Sequence, residues 1–221
     1  AASTIKLLQK RDAKVVVLAH QGTKGKGDFI SLKQHSKELS KYCKIKFVPD
    51  ILGKKARTSI EKMKSGEAIL LENVRFEKDE FFPKKKNNKF LGKFASMFDL
   101  YINDSFSVCH RDQTSITGFP KVIKSCAGPL IEKELKALEK IKLKNCLYIL
   151  GGGKPKTNVK LLGKGKILAG GSFANMILIS RGHNFGKKSS YSKDYGMSRQ
   201  SYNKIISSIK RKNKNLIAPI D

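Results

Sequence analysis

The strongest constraint in this sequence is the recurrence of short apolar runs that end in polar residues and alternate with segments of helical spacing. "KVVVLAH" (14–20) and "AILLEN" (68–73) are apolar from one residue to the next, the pattern of a strand buried on both faces. "KFVPD" (46–50), "LYIND" (100–104), "CLYILGGGK" (146–154), "KILAGGSFAN" (166–175) and "LIAPI" (216–220) read as further strands. Between them the spacing becomes helical. Residues 1–8 place Ile5 and Leu8 on one face. Ser31 and Gln34 form a capping box for a helix with Leu32, His35 and Leu39 inward. A helix after Gly53 carries Ala56, Ile60 and Met63, and Gly66 closes it. Residues 88–98 also read as helical. Strands and helices alternating in this way predict a parallel sheet covered on both faces, a three-layer α/β/α arrangement of Rossmann-like type.

The clearest helix is "AGPLIEKELKALEKI" (127–141). Gly128-Pro129 starts it, Glu132 and Glu134 sit near its positive end, and Ile131, Leu135, Leu138 and Lys142 mark one face. The strand pattern resumes after it. The expected organisation is therefore two α/β lobes joined by a long helix. Residues 1–127 form the first lobe, 128–142 the connecting helix and 143–221 the start of the second lobe. The chain opens without methionine and stops in a strand-like run, so it reads as a segment of a longer protein with both lobes incomplete.

Charge narrows the partners. The chain carries 46 basic against 18 acidic residues, a formal net charge of +28, so polyanions are attracted to it. The excess is 39 lysines against 7 arginines, spread along the whole length. Specific nucleic-acid readers rely on arginine forks and stacking aromatics, so non-specific polyanion binding is expected and a sequence-reading surface is not. The longest apolar run, Val15–Ala19, is far too short to span a bilayer. Cys43, Cys109, Cys126 and Cys146 lie far apart with no C-x-x-C, which fits free thiols in a cytoplasmic protein and no metal site.

The polar residues cluster where strands end. His20 follows the first, Asn73 and Arg75 the third, and Asn103, Asp104, His110 and Arg111 the fourth. In open parallel sheets that edge binds ligands. Singly, each residue has a structural explanation: His20 as a cap, Arg75 or Arg111 paired with a neighbouring acid. Together they make an anion pocket. Metal binding and cysteine catalysis fare worse, because Cys109 and His110 are adjacent and point apart in extended chain. "LGGGKPK" (150–156) lets backbone approach phosphates and offers Lys154 to neutralise them. "AGGSFAN" (169–175) adds a second glycine pair after another strand. Neither is a Walker loop.

These blocks, in this order, resemble phosphoglycerate kinase of the archaeal type. "VVVLAHQG", "FVPDILGKKAR", "EAILLENVRFEKDE", "FDLYINDSFSVCHRDQTSITGFP", "AGPLIEKELKALEK", "YILGGGKPK" and "KILAGGSFANMILISRG" carry the likeness over nearly the whole chain. The resemblance implies reversible phosphoryl transfer between 1,3-bisphosphoglycerate and MgADP, giving 3-phosphoglycerate and MgATP. It implies that His20, Arg75, His110 and Arg111 bind the triose phosphate. Gly152, Gly153 and Lys154 would face the nucleotide phosphates, with Lys154 also catalytic, and Gly170 and Gly171 the adenosine. Mg2+ would arrive with ADP or ATP. Thr23 stands where family members commonly carry an arginine, with Lys24 and Lys26 nearby. The competing expectations are a basic, non-enzymatic nucleic-acid binder on an α/β scaffold and an inactive relative of the kinase.

Overall fold

The computed structural model describes residues 1–141, 145–153, 155–186 and 197–219. Two compact units divide the chain, Ala1–Lys140 and Ile141–Asp221.

In the first unit the elements are α1 (Ala2–Gln9), β1 (Val15–Val17), α2 (Lys33–Ser40), β2 (Lys46–Val48), α3 (Lys54–Glu61), β3 (Ala68–Leu71), β4 (Tyr101–Asn103), β5 (Ser125–Ala127) and α4 (Pro129–Glu139), with short 3-10 and π turns between β3 and β5. All pairings are parallel. The order is β1-β3-β2 in one sheet and β4-β5 in another, with Val15 opposite Ala68 and Val48 opposite Leu71. The parallel α/β fold expected from the alternation is therefore present.

β3 is central because its run is apolar at every position, and all of it is buried. Ile69 and Leu71 join Val48, Ala56, Ile60, Val74, Phe90 and Phe94 in one core, whereas Ala68 faces Ile5 and Cys43 on the other side. Each face of the sheet thus has its own apolar layer, and truncating Leu71 to alanine should cost about 2–5 kcal/mol. β2 lies at the edge. Its Lys46 is exposed and reaches Glu67 at 3.2 Å, and a charged edge discourages pairing with another chain.

Residues 88–98, expected as a helix, instead form a π turn over Phe90–Phe94 and a 3-10 turn over Ala95–Met97. Gly92 has non-helical torsions inside the first turn. Aromatic packing explains the departure from helical period: Phe90, Phe94 and Phe98 all pack edge-on with Phe119, which also stacks on Tyr101 at 5.4 Å. In α2, Ser36 is buried and His35 is exposed, the reverse of the expected face. Glu72 organises its start, accepting from Ser31 Oγ at 2.6 Å and Leu32 N at 2.8 Å. α4 begins at Pro129 as expected, and Lys142 lies outside the described residues. Asp104, just past β4, accepts from Leu130 N at 2.7 Å and from Thr4 Oγ1 at 2.5 Å, joining α1 to the start of α4.

The second unit contains β6 (Leu147–Leu150), α5 (Pro155–Asn158), β7 (Lys166–Ala169), α6 (Gly171–Ser180), α7 (Arg199–Arg211) and β8 (Leu216–Ile217). Its sheet is parallel in the order β6-β7-β8. One face is a core of Ile167 and Ala169 against Phe173, Ile177, Ile205 and Ile209. Tyr202, Ile205 and Ile209, spaced three and four residues apart, form α7's inward face. On the opposite sheet face Ile149 is 76% exposed and Ile217 48% among the described residues. No helix among the described residues is long and apolar enough to cross a membrane.

Candidate anion site at the strand ends

In the first unit, the carboxyl ends of β1 and β3 are laced together. Val74 N donates to Ala19 O at 3.1 Å. Asn73, fully buried, donates through Nδ2 to Gln21 O at 2.8 Å and Ile30 O at 2.9 Å. Its Oδ1 accepts from Arg75 N at 3.2 Å and Gln21 N at 3.3 Å. One amide side chain thereby fixes the lysine- and glycine-rich loop 21–30 over the turn that carries Arg75. Gly22 makes the close approach possible. Its φ is +71°, and a Cβ there would run into the Asp28 carbonyl.

Arg75 is only 9% exposed. Its Nη1 donates to Gly22 O, and its buried Nε has no hydrogen-bond partner among the described residues. A buried guanidinium donor without an acceptor is costly and points to an anionic ligand. The electrostatics identify the neighbours. Burial pushes the His20 pKa below its ordinary value, and the positive charges of Arg75 and Arg111 push it further down. Burial likewise lowers the Arg75 pKa, Arg111 adds to the effect, and Glu80 and Asp28 oppose it. His20, Arg75 and Arg111 therefore share one electropositive region. His110 is exposed in the turn before Arg111, and no contact ties its ring to the other three among the described residues. Lys24 and Lys26 are exposed in the overlying loop. A cleft of about 680 Å³ lined by Phe76, Lys78, Phe82, Lys85 and Lys89 adjoins the same turn, but neither His20 nor Arg111 lines it.

A buried polar cluster that the sequence reading did not single out lies behind this site. Ser115 donates to Glu80 from Oγ at 2.6 Å and from N at 2.9 Å, and its carbonyl accepts from Tyr101 Oη at 2.7 Å. The sequence held one signal for it, the acid pair Asp79-Glu80 between aromatic residues, where solvated acids are out of place.

In the second unit the two glycine turns meet. Gly170 N donates to Leu150 O at 2.8 Å, tying the end of β7 to the end of β6. A Cβ on Gly171, whose φ is +54°, would press on Gly152 N at 3.2 Å. Gly152, at φ +88°, Gly153 and Gly170 all have open space where a side chain would stand. The N-terminal amides of α6 begin at this turn, and no side chain caps them. Lys154 lies outside the described residues. Among the described residues no cluster of three or more His, Cys, Asp or Glu is arranged to hold a metal ion.

Fold and site together define a parallel α/β protein that gathers cationic side chains at strand carboxyl ends in one unit and glycine turns at strand ends in the other. The sequence model of the family "Phosphoglycerate kinase" matches residues 1–221, and the chain belongs to that family. It is 44% identical to the phosphoglycerate kinase of Sulfurisphaera tokodaii over 84% of this chain and 49% of that protein. It is 38% identical to that of Methanothermus fervidus over the whole chain and 58% of that protein. The crystal structure of phosphoglycerate kinase from Pyrococcus horikoshii OT3 matches 98% of this chain and 57% of its own, with a TM-score of 0.80 at 29% identity. The chain thus spans about half the length of the curated relatives it matches.

Proposed function

We propose that the protein to which this chain belongs transfers a phosphoryl group reversibly between 1,3-bisphosphoglycerate and MgADP, giving 3-phosphoglycerate and MgATP. The observation that carries this reading is the buried Arg75 guanidinium at the end of β3, whose Nε has no partner among the described residues, with His20 and Arg111 within its electrostatic reach. In our reading these three, with His110, grip the triose phosphate. Charge-assisted hydrogen bonds from a rigid guanidinium fork suit phosphate oxygens. His20 is held neutral by its surroundings, so it donates one N–H, and a bound dianion would draw a proton onto it. The backbone of Gly152, Gly153, Gly170 and Gly171 and the free amides of α6 serve the nucleotide. Lys154 is assigned to the transferred group. Magnesium arrives as part of the nucleotide substrate. Catalysis by such a set is positioning and charge neutralisation, with no covalent enzyme intermediate. We read the protein as cytoplasmic, and the 221-residue chain by itself as inactive.

The test is a coupled assay for ATP formation from 1,3-bisphosphoglycerate and ADP, run on the complete parent protein. Turnover that falls at least tenfold in kcat/KM on Arg111→Ala is the expected result. A parent without turnover would instead favour an inactive relative, and Thr23 in the loop would then be the first position to restore to arginine.

A further inference from the structure

Behind the anion site, Glu80 is fully buried, yet it is an acid. Both of its carboxylate oxygens are occupied by one residue, Ser115: Oε1 accepts from the hydroxyl and Oε2 from the backbone N–H. Ser115 has no polar group left over, because its carbonyl accepts from Tyr101 Oη. The neighbouring pair repeats the contact. Thr114 Oγ1 donates to Asp79 O at 2.6 Å, and Asn88 Nδ2 bonds both partners at 2.9 Å. Two consecutive residues of one loop are thus bolted to two consecutive residues of another.

What these loops carry gives the bolt a purpose. From Glu80, turns run back through Glu77 and Val74 to Arg75: Glu80 N donates to Glu77 O, and Glu77 N to Val74 O. From Ser115, Gln113 N donates to Arg111 O, and Ile116 N to Gln113 O. Each arginine is therefore joined to the buried pair by a few residues of hydrogen-bonded turn, with little slack. Burial of an ionisable side chain is costly, and an apolar pair would hold two loops together as well. An apolar pair would not fix their separation, because it lacks the directional bonds that set register.

We propose that Glu80 is a positioning residue of the anion site: through Ser115 it sets the distance between the Arg75 and Arg111 loops, so that both guanidinium groups meet one phosphate. The inference rests on the reading of His20, Arg75 and Arg111 as the triose-phosphate site. The required property is the reach of the side chain rather than its charge. Glu80→Asp keeps the charge but is one methylene short of Ser115. Ser115→Ala keeps the carboxylate and removes the hydroxyl donor. Glu80→Gln keeps the reach, with its amide oxygen facing the Ser115 N–H and its NH2 facing the hydroxyl oxygen.

The experiment titrates the full 221-residue chain and these variants by calorimetry, with inorganic phosphate and with 3-phosphoglycerate, and records Tm for each. Ile5→Ala serves as a control, because it loosens the separate small core of Ile5, Cys43 and Ala68 on the other side of the sheet. The expected result is weakening by about fivefold or more in Glu80→Asp and Ser115→Ala, within the range of coupling between contacting groups. Glu80→Gln should stay within about twofold of the parent chain, and Ile5→Ala should keep its affinity at a comparable loss of Tm. Unchanged affinity in Glu80→Asp and Ser115→Ala overturns the proposal, as does equal weakening in Glu80→Gln or in the control. Binding of phosphate without 3-phosphoglycerate would remove the triose-phosphate reading alone, since the variants are still compared on phosphate. Binding of neither anion by the unmodified chain overturns both.

Discussion

Replacing Arg75 by lysine tests the anion site at its most buried point. The guanidinium is 9% exposed, spends Nη1 on Gly22 O and keeps Nε unpaired among the described residues. Lysine preserves the charge but is a point donor on a flexible stem, so one ammonium must choose between the Gly22 carbonyl and an anion. If it keeps the carbonyl, one charge-assisted hydrogen bond to the ligand is lost. Such a bond contributes about 1.5–3 kcal/mol, equivalent to roughly 10- to 100-fold in Kd. If it keeps the anion, the buried carbonyl loses its partner, at a cost of about 1–3 kcal/mol in stability. The assay is calorimetric titration of the chain with 3-phosphoglycerate beside a thermal melt. The expected outcome is a clear loss in one of the two readouts and no gain in either. Arg57→Lys on α3, whose Nε donates to the Leu52 carbonyl at 3.1 Å, should leave the affinity unchanged. Parent-like affinity together with parent-like Tm in Arg75→Lys would show that neither bond matters and refute the reasoning.

The remaining predictions concern titration and loop geometry. The pKa of His20 is depressed by burial and then by Arg75 and Arg111, so the folded chain binds fewer protons than the unfolded one just below pH 6.5. His20 therefore leaves stability unaffected well above pH 6.5 and opposes folding as pH falls below that value, and an anion bound beside it should reverse the depression. Calorimetry in buffers of different ionisation enthalpy should then register proton uptake on phosphate binding near pH 6, reduced in His20→Gln; identical uptake in both would sink the assignment. Gly22→Ala places a Cβ against the Asp28 carbonyl at φ +71°, and should cost about 1–3 kcal/mol while loosening loop 21–30, seen as faster amide exchange there. Asp50 accepts from Ile51 N, Gly53 N and Ala56 N at the start of α3. Burial raises its pKa, but these backbone bonds outweigh that and hold it below 3.8. Its contribution should be complete above that value and vanish as pH falls through the lowered one, and Asp50→Ala should lose about 1 kcal/mol at pH 7 by urea titration, and less in acid.

Much of this protein was legible one residue at a time. The apolar runs at 15–19 and 68–71 read as buried strands, and strands form at Val15–Val17 and Ala68–Leu71, the second buried throughout. Their polar ends were expected on the ligand edge of a parallel sheet, and the turn carrying Arg75 does lie at the end of β3 against the end of β1. Glycines 152 and 171 marked turns whose backbone other residues resist. What one dimension did not carry was partnership between distant residues. The choice of Ser36 over His35 as the inward residue of α2, the breaking of 88–98 into two short turns around Phe119, and the strand at Ser125–Ala127 follow from neighbours far along the chain. So does the role of Glu80, an unremarkable acid in sequence that lies buried against Ser115, 35 residues away. Local pattern determines which backbone can form, since periodicity and torsional preference act over a few residues. Burial and pairing are decided by the closing of long loops, whose contacts exist only once the tertiary fold has brought their two sides together.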